Sequence, residues 1–325
     1  MVLLIAGTLA QHQQGLYYAQ QTYFSVYYFW LWGIIPLPGA YTTLTAIFLN
    51  LLCKLVSDTW RVKKLGTIIT HLSALLLLLG GFLTAHFSQE GYMDITEGTS
   101  VNYFNDYYNT ELVITTLNKK KIINPKNPIL QSELNKFIPA DLNIVYCNHC
   151  AVKNNPKKLI YLPKPKDNEQ IMPVLTLNIN QNHNIYLAVN NSYRIQINNH
   201  AYLFEFRFKR TYLPFAIKLN SFKKELHPGT NIVREYSSDV TLTDNTINWH
   251  GIISMNQPLR YKGYTFYQAS FYKNDNQYTT VLAAVYNTGQ NFPYIASIVL
   301  CLGVLVHLFQ RSNLRLRLRL RFNKT

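Results

Sequence analysis

Residues 66–87 read GTIITHLSALLLLLGGFLTAHF, and as a helix they extend about 33 Å, enough to cross a hydrocarbon core of about 30 Å. The run is almost wholly apolar except for His71, seven residues past Lys64. A titratable ring at that depth has no water to pair with, so it requires a polar contact from a neighbouring helix, a cavity or a metal. Imidazole is also a common ligand of haem iron. Thr67, Thr70 and Ser73 flank His71 and suit interhelical hydrogen bonds. A packing role and a cofactor role therefore both stand open for it.

Around this run the 325-residue chain divides into strongly apolar stretches and a long polar middle rich in Lys and Asn. The division predicts membrane α-helices plus a large all-β, antiparallel extracytoplasmic domain of sandwich or barrel-like form. A net charge of +15 would suggest nucleic acid in a water-soluble protein. Here much of the excess lies beside apolar stretches and no nucleic-acid motif is present, so no nucleic-acid partner is expected.

The membrane region is expected at residues 1–87. Residues 1–10 are apolar but only about 15 Å long as a helix, and read as a first span cut short. Residues 16–38, crowded with Tyr17, Tyr18, Tyr23, Phe24, Tyr27, Tyr28, Phe29, Trp30 and Trp32, read as an interfacial aromatic segment. Residues 40–56 and 66–87 are two spans, residues 88–291 the extracytoplasmic β-rich domain, and residues 292–309 a C-terminal span. Lys54, near the end of the 40–56 span, with Arg61, Lys63 and Lys64 after it, makes the connection from 40–56 to 66–87 basic. Arg311, Arg315, Arg317, Arg319, Arg321 and Lys324 occupy a basic tail, residues 310–325. The excess of Lys and Arg in short loops marks the cytoplasmic face. The chain thus reads as a multi-pass protein of the cytoplasmic (inner) membrane with its large domain on the periplasmic side. The Leu-Arg tail reads as a stop-transfer cluster, or as a contact with anionic membrane lipid.

From Met172 onward apolar residues alternate at period two, as in Leu175, Leu177 and Ile179, then Val240 and Leu242, then Tyr264 and Phe266. Turn residues such as Asn190-Asn191 and Pro228-Gly229 separate these runs, which predicts short antiparallel strands. The Lys- and Pro-rich stretches 118–128 and 154–168 read as exposed loops.

Two further membrane histidines are candidates. His307 lies four residues before Arg311, and with His71 it would share a cytoplasmic-leaflet site; interfacial packing is its plainer reading. His86 lies about 22 Å beyond His71 along the helix and on roughly the same face, either an interfacial ring or a later position on a transport path. Cys147-Asn148-His149-Cys150 has C-x-x-C spacing, but Ala151 stands where covalent haem attachment needs a histidine. A short disulfide, an incidental thiol pair and thiol exchange are its readings. No catalytic triad, phosphate loop or dinucleotide turn is present in the sequence, so no catalytic residue is assigned.

Several stretches together resemble the ResB (also called CcsB) family of cytochrome c biogenesis proteins. They are Gly7-Thr8-Leu9-Ala10-Gln11, His71-Leu72-Ser73-Ala74 to Gly80-Gly81, Glu90-Gly91-Tyr92 and Thr96-Glu97-Gly98. Leu213-Pro214-Phe215, Pro228-Gly229-Thr230 with Ser237-Ser238, and the long run Asn256 to Ser270 complete the set. The resemblance spans nearly the whole chain, more weakly between Asn109 and Gln170. It implies that, with a CcsA-type partner, the chain carries haem across the membrane and delivers it for attachment to apocytochrome c. The family's intramembrane haem ligand falls on His71, making it the expected axial ligand of a b-type haem bound transiently and shared with the partner. The partner would supply the other ligands. A thioredoxin-like reductant is a further expected partner, and the chain would be a non-catalytic or shared subunit of a cytochrome c synthase (haem lyase). Lys63 and Lys64 would hold the haem carboxylates or serve topology alone. The alternative is a scaffold whose β domain docks apocytochrome or a thiol-reducing partner through the aromatic residues of Tyr261 to Tyr272, without ligating haem.

Overall fold

The computed structural model describes residues 1–14, 19–31, 33–57, 61–117, 119–125, 137–138, 142–147, 150–154, 157–161, 173–179, 183–197, 200–274 and 276–322. The chain forms two compact units, one made of residues 1–88 and 287–325, the other of residues 89–286.

The first unit is helical. It contains α1 (Val2–Gln14), a π-helical turn (Gln20–Phe24), the hairpin β1 (Tyr28–Leu31) and β2 (Ile35–Pro38), then α2 (Ala40–Ser57), α3 (Leu65–Phe87) and α4 (Phe292–Phe322). By length and composition α2, α3 and the part of α4 from Phe292 to Ser312 can each cross a membrane. Their outward residues, such as Leu72, Leu77, Ile298 and Leu305, are exposed and apolar, as a lipid-facing surface requires. The β1–β2 hairpin leaves Tyr28, Trp30 and Ile35 exposed while Phe29 is buried. The helix α4 continues unbroken to Phe322, so most of the basic tail is helical; Leu and Arg are both good helix formers and nothing there interrupts the ladder.

Glycines set how α3 and α4 meet. A Cβ on Gly66 would fall 2.5 Å from His307 Cα, one on Gly303 2.9 Å from Thr70 N, and one on Gly80 2.3 Å from Phe292 Cβ. Each step up α3 is matched by a step down α4, so the pair is antiparallel and joined along a small-residue seam. In lipid, where hydrophobicity gives helices no reason to associate, such close backbone approach provides the attraction. The Thr70 and Ser73 hydroxyls do not cross this seam; they donate to the Thr67 and Thr70 carbonyls of their own helix. Polar links close the two ends. Gln310 donates to Val62 O at 2.7 Å and accepts from Gly66 N–H at 3.4 Å, and Thr84 donates to Asn287 Oδ1 at 2.9 Å.

The second unit is all β, and every pairing is antiparallel. Its strands open with β3 (Gln89–Thr96), β4 (Ser100–Thr116) and β5 (Lys119–Ile123). Next come β6 (Leu142–Cys147), β7 (Cys150–Asn154), β8 (Lys157–Tyr161), β9 (Val174–Ile179), β10 (His183–Ala188) and β11 (Asn191–Ile197). The last are β12 (His200–Leu226), β13 (Val233–Thr243), β14 (Asn248–Ser254), β15 (Leu259–Tyr261), β16 (Tyr264–Asn274) and β17 (Gln277–Tyr286). The main sheet runs β14-β13-β12-β4-β3-β17-β16-β15, with β11 added to β12 and β5 added to β4. It rolls until β13 meets β16 and β17 through the buried Ser238 hydroxyl, which lies 2.7 Å from Gln268 Oε1 and 2.8 Å from Thr280 Oγ1. Inside the roll Met93, Phe104, Phe215, Ile217, Val240, Phe266 and Leu282 form one core. A smaller sheet, β10-β9-β6, covers the rest through a second core with Leu112, Ile114, Leu175, Leu177, Phe204 and Phe206.

The strand β12 serves both cores, and its parity shows how. Buried residues fall on even numbers at Tyr202, Phe204 and Phe206, on odd numbers from Leu213 to Leu219, and on an even number again at Phe222. The first change spans a slip in register between Phe208 and Arg210, and the second a slip between Leu219 and Ser221. An extra residue in one strand turns the following side chains to the opposite face. Pro214 falls in the gap of the β4 pairing between Tyr212 and Ile217, before the β13 pairing begins at Ala216, a position that costs no ladder hydrogen bond.

The stretch expected as a loop at 118–128 is in part a strand: Lys119 to Ile123 pair with Leu112 to Thr116. Lysines suit an edge strand, where they discourage further pairing, so their presence does not argue for a loop. Within 154–168, Lys157 to Tyr161 likewise pair with β7; residues 162–168 lie outside the described residues.

Candidate functional site

His71 sits on the first half of α3, half-buried. From Gly66, which faces α4, five residues of helix turn about 500°, so His71 points about 140° away from the seam. Ala74, Leu78 and Phe82 follow at the spacings that share its face, and they form an apolar stripe from half-buried to exposed. Among the described residues no hydrogen-bond partner meets the His71 ring. Among the described residues, then, no neighbouring polar group accounts for this histidine.

His86 lies at the far end of the same stripe. Its ring centroid is 4.4 Å from that of Phe82 and 5.8 Å from that of Tyr41 on α2, and its Nδ1 lies 3.2 Å from Phe82 O. His307 is exposed, with its backbone against Gly66. It is offset from His71 by about five residues, roughly 7.5 Å along the axis, and no contact joins the two among the described residues. Lys64 is exposed at the start of α3.

Cys147 ends β6 in a disulfide, while Cys53 and Cys301 in the helices carry free thiols. The side chain of Cys150 lies outside the described residues.

In the β unit, the aromatic residues that the scaffold alternative takes as a binding surface, and for which core packing is the plainer reading, divide between two faces. Phe266 is fully buried and Tyr264 half-buried against Phe104, Phe215 and Tyr286. Tyr261 donates to Asp244 Oδ2 at 2.8 Å. Only Tyr267 and Tyr272 among them lie open, at 41% and 42% exposure. The alternation 264, 266, 268 marks the inner face, and period two alone does not say which face is inner.

The Thr96-Glu97-Gly98 motif has a structural office. Glu97 accepts the Phe222 backbone N–H at 2.7 Å, and Gly98, at φ 83°, donates to Leu219 O. Only glycine takes that conformation without strain.

Two features of this unit escaped the sequence. One is a buried ion network: Arg207 Nε meets Glu111 Oε1 and Arg207 Nη1 meets Glu205 Oε1, both at 2.9 Å. Burial works against the Arg207 charge, but the hydrogen bonds from Glu111 and Glu205 more than offset it and raise its pKa. The other is Asp94, in the middle of β3 on the sheet's outer face. Burial raises its pKa, and burial with the Asp94 charge pushes Tyr92 up to about 12. The plain alternation of β3 was the signal that set Asp94 beside Tyr92 and Thr96.

Residues 189–285 match the model of the ResB-like family. Over 278 residues the chain is 24% identical to Protein NrfI of Wolinella succinogenes, a match that covers 83% of this chain and 30% of that protein. The chain thus spans about a third of the length of that curated relative.

Proposed function

We propose that this ResB-like protein is a membrane subunit of cytochrome c biogenesis that binds haem through His71 and, with a CcsA-type partner, carries it outward for attachment to apocytochrome c. The observation that carries the reading is His71 itself: a half-buried imidazole within an apolar span, without a hydrogen-bond partner among the described residues, at the head of an apolar stripe. Those residues fit a haem. One neutral nitrogen can ligate iron, and Ala74, Leu78 and Phe82 offer an apolar surface to a flat macrocycle. Bound there, the haem would be the cargo handed to an acceptor thiol pair.

The remaining roles follow from chemistry. A single imidazole leaves the opposite axial position to a partner subunit. Phe82 and His86 lie where cargo moving along the stripe would arrive last. Exposed Lys64, beside the positive loop that sets orientation, is placed to attract anionic propionates. The same charge asymmetry puts residues 88–291 on the periplasmic side of the cytoplasmic membrane. Client docking and thiol reduction belong to the β unit or to partners.

The test is the absorption spectrum of the chain purified from membranes with its partner. His71→Ala should lose most of its bound haem and regain it with added imidazole, while His86→Ala and His307→Ala keep more. Equal haem content in His71→Ala and wild type would refute ligation by this residue.

A further inference from the structure

The outer face of β3, β17 and β16 carries an incomplete electrostatic arrangement. Register puts Tyr92 opposite Ala283 and Asp94 opposite Val281, with Thr96 opposite Thr279. On the next strand Tyr267 stands opposite Ala283, Ser270 opposite Val281 and Tyr272 opposite Thr279. Directly opposed residues share a face, so Asp94 stands on a low floor of Val281, Ala283 and Ser270. Aromatic rings rise around it. Tyr92 and Tyr107 lie 5.7 Å apart by centroid, and Phe208 packs at 6.0 Å from Tyr92. The Asn190 side chain approaches the Tyr92 hydroxyl and works against the rise in its pKa. Tyr107 and Tyr272 are 40% and 42% exposed, and the Asp94 charge is felt at both, as is that of Glu90 at Tyr107.

Asp94 has no hydrogen bond and no cation among the described residues. A half-buried carboxylate left so is costly, and burial raises its own pKa. Other carboxylates of this unit have partners: Glu111 and Glu205 take Arg207, Asp244 takes Lys262, and Glu97 and Asp106 accept backbone N–H groups. In a chain of net charge +15, an unpaired carboxylate beneath tyrosine π-faces is a local reversal of sign. Rings and carboxylate attract the same kind of group, an ammonium or guanidinium.

We propose that the tyrosine-ringed Asp94 on the outer face of β3, β17 and β16 is a docking point for a lysine- or arginine-bearing segment of a partner protein. The segment's basic side chain lies among Tyr92, Tyr107 and Tyr272 with its charge on Asp94, and Glu90 adds to the attraction. Charge complementarity selects this occupant. Anionic lipid and nucleic acid are repelled by the same carboxylates. The site is built from residues of the β unit alone and does not depend on haem binding by His71.

The test uses the full chain in nanodiscs of zwitterionic lipid, with fluorescein-labelled hexalysine as the probe and hexaglutamate as its control. Wild type should bind hexalysine in a salt-sensitive manner and show no binding of hexaglutamate. Asp94→Asn, which keeps shape and removes charge, should weaken binding about tenfold, and Tyr107→Ala by a smaller factor. Glu225→Gln, an exposed carboxylate elsewhere on the unit, should bind as wild type. Hexalysine binding unchanged in both Asp94→Asn and Tyr107→Ala, or lost equally in Glu225→Gln, overturns the proposal. So does saturation of the site by magnesium alone at concentrations that displace the peptide.

Discussion

Gly66 lies directly against the backbone of His307: a methyl group placed on the glycine would be 2.5 Å from both the His307 Cα and N. The obstacle is main chain, so it cannot swing aside. The two helices must part if the residue grows.

Gly66→Leu is therefore expected to destabilise the α3–α4 pair by about 1–3 kcal/mol, the usual cost of overpacking. Thermal unfolding of the detergent-solubilised protein measures it. A melting temperature equal to that of wild type would mean the seam yields. Gly81→Leu, where a Cβ meets nothing within 4 Å, provides the matched control.

The Glu111–Arg207 pair gives the second expectation. Both side chains are nearly sealed from solvent, at 9% and 5% exposure. Glu111→Gln would leave the guanidinium with Glu205 alone, and breaking a buried pair costs about 3–5 kcal/mol. The double change Glu111→Gln with Arg207→Met should recover much of that loss, because no buried charge remains unpaired. Urea unfolding followed by Trp249 fluorescence compares the three proteins; a double variant weaker than the single one would contradict this account.

Asp244 ties two turns together, accepting from Tyr261 OH at 2.8 Å and from Lys262 Nζ. The Lys262 hydrogen bond first, then that of Tyr261, holds its carboxyl below the usual carboxylate range. A carboxylate with a lowered folded-state pKa stabilises the protein above its unfolded pKa of about 3.9, and the contribution fades as pH falls through the lower folded value. Asp244→Asn should melt below wild type at pH 7, with the gap narrowing below about pH 4. A gap that is the same at pH 7 and at pH 3 would show that geometry, not charge, is what the residue contributes.

The sequence displayed the helices because lipid leaves a coarse signature: a 22-residue, mostly apolar run, from Gly66 to Phe87, without a charged side chain other than its two imidazoles. It displayed strands where one face is uniformly buried, as at Leu175, Leu177 and Ile179. It concealed the parity changes of β12, since a bulge is one extra residue and leaves composition unchanged. The charge of Lys119, Lys120 and Lys121 resembled a loop because edge strands and loops face the same solvent. Tyr264 and Phe266 offered themselves as surface because aromatic rings serve cores and interfaces equally. The glycine seam was readable in principle, from small residues spaced along an otherwise bulky span. What the sequence could not supply was the partner each glycine meets, nor the lack of a cation beside Asp94 among the described residues.

Finally, β12 is 27 residues long, roughly 90 Å of chain at strand rise, and it belongs to both cores of its unit. Neither half can peel away while the other keeps its ladder intact. Loads or melting events that begin at the small sheet are thus transmitted along one uninterrupted beam to the rolled sheet. The unit should come apart in a single step, its hydrogen-exchange protection collapsing together across Phe204 and Phe215.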